Sequence, residues 1–438
     1  MTDAARPPQG RAAPEAPRRQ LALWFWAVVV GALAAAVTTG FRAVLRGIEW
    51  LLTRHSGELV SVAKAITPWE RVLVCVGGAL AAGLVMRWGR RWAERGPAGA
   101  ENLDYIDAAR QQRVDLNDRL TISRGLGALL SIASGASVGR EGPMVQLAAW
   151  FSSLLARALP LDHKDRANLL AGGIAAGIAA AYHAPVAGVV FVLELALGFM
   201  QASAVAPVLI AAGTSAGLIY WIVAPAPLYA VGEVAQAPTS LGLALFAGLV
   251  FGAIGWAFLH LLDLSRTLFA RVASPVWRLA LGGLLVGLCS MAFPEVWGNG
   301  YPLVADALGG TQPWQWLAVV LVAKVLATSV STGSGAIGGV FTPSLCVGAT
   351  GGAVLAQLAA MWLPASVVGD PRALAILGMA AVLAAVTHAP LMAIVMVMEM
   401  THQFQLTVPA MLACGVAFAV STQFGVEPLY GNPIEAVR

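Results

Sequence analysis

"SVGREGPMVQL", residues 137–147, sets Arg140 and Glu141 side by side between Gly139 and Gly142. Pro143 follows, and apolar sequence runs on from it. Proline is favoured at the first position of a helix, where its missing N–H costs nothing. The stretch therefore predicts a Gly-rich turn opening a helix at Pro143. The N–H groups at such an opening lack intrahelical acceptors and carry partial positive charge. Away from water they require a partner, and a small anion is the natural one.

The rest of the chain puts this opening away from water. Of 438 residues, 58% are hydrophobic and 11% charged, against about 25% charged in soluble proteins. Mean hydropathy is +0.74. Apolar stretches of the ~20 residues that span a bilayer recur along the chain. The first runs from about Leu21 to Leu52 and the second from about Val72 to Met86. The fold class is an all-α polytopic membrane protein. Segments such as Ala167–Ala181 are short for a full span, and the 47 glycines suit close packing and helices that end inside the membrane. The segment "ENLDYIDAARQQRVDLNDR" (101–119) is too polar to face lipid.

Charge narrows the partners. The net charge is only +4, and arginines gather in short linkers such as Arg87–Arg95. That is the positive-inside pattern of membrane proteins and not a nucleic-acid-binding face. Residues 1–20 form a polar, basic tail with no cleavable signal, and Arg6, Arg11, Arg18 and Arg19 hold it in the cytoplasm. Cys75, Cys289, Cys346 and Cys414 lie in apolar sequence without metal-ligand spacing and read as packing thiols. No HExxH, paired intramembrane aspartates or Ser/His arrangement is present, so nothing points to an enzyme, a metal or another cofactor.

The chain also repeats itself. "HAPVAGVVFVLE" (183–194) matches "HAPLMAIVMVME" (388–399), and Gly139–Pro143 matches Gly339–Pro343. Nearer the start of each half, Gly31, Phe41 and Leu45 match Gly248, Phe258 and Leu262. Three correspondences in order, each about 200 residues apart, predict two repeats, 21–225 and 226–438, of the kind found inverted in secondary transporters. If the repeats are inverted, two helix openings converge. Backbone amides of Gly139, Arg140, Glu141 and Gly142 then meet those of Val340, Phe341 and Thr342 around one anion. The Glu141 carboxylate would occupy that place itself and leave when protonated or displaced, which makes it a gate. Arg140 would neutralise the site and attract anions. The competing reading is a buried Arg–Glu pair that pins two helices. His183 and His388, each before Ala-Pro, read as turn residues rather than a metal pair. Lys324 and Glu101 have no evident partner in sequence.

These motifs resemble the CLC family of chloride channels and chloride/proton antiporters. "GREGP" (139–143) is similar to the family's gating-glutamate motif, and "GGVFTPSL" (338–345) to its second anion-binding loop. "EPLYGNPI" (427–434) resembles the segment carrying the pore tyrosine, here Tyr430, and "APLMAIVMVMEMT" (389–401) a late helix. The likeness runs from about residue 21 to 434 and is greatest to a divergent bacterial branch, the ClcB-like voltage-gated chloride channels. It implies a CLC-type fold of two inverted repeats with broken, tilted helices, roughly 18 per subunit. It also implies a homodimer with one pore per subunit, chloride as the anion and a bacterial inner membrane as the location.

Two departures bear on mechanism. Family members carry a serine facing the inner side of the anion, and counting back from Glu141 puts Ala100, in "GAENL" (99–103), at that place. Preference among chloride, nitrate and fluoride then stays open, with Asn102 as a substitute donor. Exchangers also carry two consecutive glutamates after the "AP.AG" helix, the second passing protons to the cytoplasm. Here the pair reads Glu194-Leu195. Leucine binds no proton, so passive gated conduction is favoured over chloride/proton antiport, with Glu194 as the alternative proton path or as a helix-end residue.

Overall fold

A computed structural model of the chain describes residues 15–95, 103–196, 202–223, 227–234 and 241–431. The first half contains α1 (Glu15–Thr53), α2 (Leu59–Ala65), α3 (Pro68–Glu94), α4 (Tyr105–Arg110), α5 (Asp118–Ala133), α6 (Glu141–Ala158), α7 (His163–Tyr182), α8 (Pro185–Phe191) and α9 (Ala202–Val223). The second contains α10 (Leu241–Ala270), α11 (Pro275–Ala292), α12 (Tyr301–Gly309), α13 (Trp314–Ser334), α14 (Phe341–Trp362), α15 (Ala365–Val368), α16 (Pro371–Thr387), α17 (Pro390–Thr401) and α18 (Thr407–Gln423). Nine helices among the described residues are long and apolar enough to cross a membrane, and the chain is a multi-pass membrane protein.

Polar residues punctuate these helices. The Thr67 hydroxyl accepts from Glu70 N, the Glu70 carboxylate accepts from Thr67 N, and Pro68 opens α3. Asn117, Asp162 and Asp370 cap α5, α7 and α16 by the same chemistry. α1 begins at Glu15, ahead of the apolar run and inside the stretch read as tail. There Arg19 pairs with Asp162 and Asp165 at the start of α7.

The repeat seen in sequence is physical. A Cβ on Gly31 of α1 would collide with the Ala211 carbonyl of α9, and one on Gly248 of α10 would come within 2.7 Å of the Ala413 carbonyl of α18. The matched glycines let matched helix pairs approach in each half. Two contacts across the halves are reciprocal. Gly139 N donates to Gly339 O at 2.7 Å, and Gly339 N to Gly139 O at 2.8 Å. The Glu194 carboxylate accepts from Leu391 N and Met392 N at the start of α17 (3.2 and 2.7 Å). Glu399 does the same for Val186 N and Ala187 N of α8 (3.1 and 2.7 Å). When residue i meets j and the equivalent of j meets the equivalent of i, a two-fold axis relates the two bodies. α7 and α16 form the centre of the molecule and are buried along most of their length. Each ends in a histidine of left-handed conformation, His183 (φ 56°) and His388 (φ 54°), which turns the chain into α8 or α17.

Candidate anion site between two helix openings

Arg140 is the N-cap of α6, and Glu141 is its first helical residue. In the other half Val340 caps α14 and Phe341 begins it. Both helices thus start two residues ahead of Pro143 and Pro343. A proline is tolerated there because first-turn N–H groups have no intrahelical acceptor. The first backbone bonds are Met144 N to Arg140 O (3.4 Å) and Ser344 N to Val340 O (2.9 Å). The amides ahead of them are left to an outside acceptor. Gly139 departs from the expectation: its N–H is spent on Gly339 O, so it joins the two openings and donates nothing to an anion. The remaining candidate amides are those of Arg140, Glu141, Gly142, Val340, Phe341 and Thr342.

Glycine is required at this junction. A Cβ on Gly338 would overlap the Val138 side chain, and one on Gly142 would lie 3.2 Å from Gly339 Cα. A Cβ on Gly139 would sit 2.5 Å from Glu141 Oε2. That last contact shows where the carboxylate lies: folded back over Gly139, across the joined turns. Glu141 is 5% exposed. Its Oε1 accepts from Asn299 Nδ2 at 2.8 Å, while Oε2 is buried with no hydrogen-bond partner among the described residues. Arg42 of α1 reaches the same region, donating to the carbonyls of Ala180 and Ala181 at 3.3 and 2.8 Å.

Cavities approach the junction from two directions. The larger, about 390 Å³, is bordered by Gly142, Gly339, Arg124, Gln146, Tyr105 and Tyr430. The smaller touches Arg140, Asn299, Glu58 and Trp297. Arg140 and Gly142 border different cavities, and Glu141 lies between them in the chain.

Tyr430 comes from the C-terminal segment, which Arg110 of α4 fastens by donating to Tyr430 O at 2.6 Å and Gly431 O at 3.3 Å. Tyr430 and Tyr105 both border the larger cavity, and the Tyr430 ring meets Phe191 edge-on at 5.8 Å. Burial pushes both phenols upward, so each keeps its proton and stays a donor. The Tyr182 hydroxyl lies 3.4 Å from Thr342 Oγ1, and its ring packs on Phe341 at 5.0 Å. Glu194, the alternative proton residue, has its carboxylate on the α17 amides. The Leu195 carbonyl accepts from Arg110 Nε at 2.9 Å. Ala100, Glu101 and Asn102 lie outside the described residues.

Sequence reasoning missed Asn299, Tyr105, Tyr182 and Arg110. Asn299 did leave a signal: it stands in "GNGYP" between Gly298 and Gly300, both at positive φ (66° and 87°). The pattern marks a turn before a proline-bearing helix and does not reveal what the amide faces. The buried Lys324 now has partners, the carbonyls of Val296 and Gly298 at 2.9 and 2.7 Å.

A family model described as voltage gated chloride channel matches residues 77–422. A protein of Ralstonia nicotianae named as ClcB-like is 41% identical over 420 residues, covering 94% of this chain and 96% of its own. The voltage-gated ClC-type chloride channel ClcB of Salmonella typhimurium is 37% identical, covering 92% and 97%. Among solved structures, a slow cyanobacterial Cl⁻/H⁺ antiporter superposes with a TM-score of 0.81 at 24% identity, covering 95% of this chain and 97% of that one. A CLC-type fluoride/proton antiporter gives 0.75 at 25% identity, covering 92% and 96%.

Proposed function

This chain belongs to the CLC family of anion channels and transporters, and from that premise we propose that it conducts chloride passively through a pore gated by Glu141. The observation that carries the reading is the Glu141 carboxylate folded across the joined openings of α6 and α14. It sits where free first-turn amides favour an anion. A mobile chloride and this carboxylate compete for the same space at the joined openings, so the pore is shut when the carboxylate is in and open when it is out. Protonation removes the charge that holds it there and frees the site for chloride.

On this reading the anion is held by amides of Arg140, Gly142, Val340, Phe341 and Thr342, with Tyr430 on the side of the larger cavity. The starts of α1 and the basic end of α3 share one face of the bilayer, since two spans separate them. The positive-inside rule makes that face cytoplasmic. We take the protein to work as a homodimer with one pore per subunit in a bacterial inner membrane, as the resemblance implies.

Passive flow is preferred to exchange because the inner proton position is Leu195, whose carbonyl binds the Arg110 guanidinium. A fixed cation there opposes a proton site. The second reading, chloride/proton antiport by another route, is favoured by the two solved relatives named as antiporters. The direct test of the gate is Glu141→Gln in proteoliposomes, measured as chloride efflux against pH. The expected result is flux raised at neutral pH and flat across pH. Wild-type flux with wild-type pH response would remove Glu141 as the gate.

A further inference from the structure

Among the described residues the Glu141 carboxylate has one polar side-chain partner, Asn299, and this residue comes from the other repeat. Its orientation is fixed. Asn299 Oδ1 accepts from Tyr301 N at 3.1 Å, which turns the NH₂ group toward Glu141 Oε1. The turn carrying it is fastened on both sides. Gly298 N donates to Ala136 O at 3.2 Å, on the turn between α5 and α6. Lys324 Nζ, fully buried in α13, donates to Val296 O and Gly298 O. The Trp297 ring, also fully buried, fills the space beside Gly135, where a Cβ would overlap it. A half-buried asparagine amide is thus held rigidly against the gate, and a buried lysine that pairs with no acidic residue among the described ones anchors its turn.

We propose that Asn299 is the latch of the Glu141 gate: its amide holds the ionised carboxylate in the closed position, and Lys324 positions the turn that presents it. This rests on the gating role of Glu141. A hydrogen bond to an ionised group weighs about tenfold or more in an equilibrium, so losing it shifts the gate toward open by that order. The amide holds the ionised carboxylate more strongly than the protonated one, because a hydrogen bond to the charged form is the stronger. Arg140 adjoins the carboxylate in the chain, Glu58 lines the smaller cavity with Arg140 and Asn299, and Arg42 of α1 donates to the Ala180 and Ala181 carbonyls. Of the phenols near the junction, Tyr182 lies 3.4 Å from Thr342 Oγ1 and Tyr430 lines the larger cavity. None of them replaces the Asn299 bond.

The test is chloride efflux from proteoliposomes as a function of pH for wild type, Asn299→Ala, Glu141→Gln and the double variant. The latch predicts that Asn299→Ala raises flux at pH 7.5 by about tenfold and moves acid activation to higher pH. In the Glu141→Gln background the same substitution has a much smaller effect, since only the weaker bond to a neutral carbonyl is left to lose. Asn299→Asp keeps the shape but sets like charge against the gate. It is expected to raise flux at least as much, and it carries the test if the alanine variant does not fold. An equal effect in both backgrounds, or none in either, overturns the latch. A Glu141→Gln variant with wild-type flux and pH response instead overturns the gate on which the latch depends, so the two failures are distinct.

Discussion

The openings of α6 and α14 share a backbone and differ in side chains. Each is a glycine turn and a helix with proline at its third residue, and the two turns trade hydrogen bonds. Yet Glu141 in the first faces Phe341 at the equivalent place in the second. Glu194 and Glu399 are the opposite case. They are equivalent in sequence, and each binds the start of the other repeat's short helix. Where the repeats agree, the residue serves the architecture. Where they disagree, as at Glu141 against Phe341, the residue is the one we propose to serve the single anion path that both repeats share.

That contrast is open to attack at several points. The largest effect expected is from Glu141→Gln, whose flux at neutral pH should exceed wild type by about tenfold or more, the order of a charged hydrogen bond lost from the closed state. Next is Gly338→Ala. Its Cβ would overlap Val138 at the meeting of the turns, so folded yield and thermal stability in detergent should fall by the ~1–3 kcal/mol typical of overpacking. A variant with wild-type melting would mean that the turns can part freely. Glu194→Gln and Glu399→Gln should then cost similar amounts, about 1–3 kcal/mol each for weakened charge-assisted bonds, and leave anion flux close to wild type. Thermal unfolding and efflux measured together check this. Loss of transport in one variant only would break the symmetry argument. The smallest effect is expected from Tyr430→Phe, which removes one hydroxyl from a site built mainly of amides. The ranking of chloride, nitrate and fluoride should change while total flux changes severalfold at most. An unchanged ranking would place that hydroxyl outside the anion path.

How much of this was legible beforehand depended on whether a residue's partner lay nearby in sequence or across the fold. Gly31 and Gly248 announced the repeat because close helix approach demands a small residue in both halves. The gate motif was readable because Gly, Glu and Pro specify a helix opening locally. Both helices nevertheless begin two residues before the proline, since a missing N–H is harmless anywhere in the first turn. The bond that engages the Gly139 N–H was not legible because its acceptor, Gly339 O, comes from the other repeat. Asn299, Tyr105 and Lys324 were opaque for the same reason: their roles come from partners in other helices or turns. Lys324 in particular satisfies its charge with backbone carbonyls, and carbonyls leave no mark in a sequence.

The central claim is passive anion flow through a gate that does not export protons. The most direct measurement uses purified protein in liposomes with a chloride gradient and no proton gradient. A potassium ionophore clamps the voltage at the chloride equilibrium potential while internal pH is followed. At that potential a passive chloride path has no driving force and moves no protons, whereas an exchanger coupled to protons is still driven. The account predicts a flat internal pH, together with brisk chloride efflux once the voltage is moved away. Sustained proton movement at the clamp would contradict it and show that protons cross by a route that bypasses Leu195.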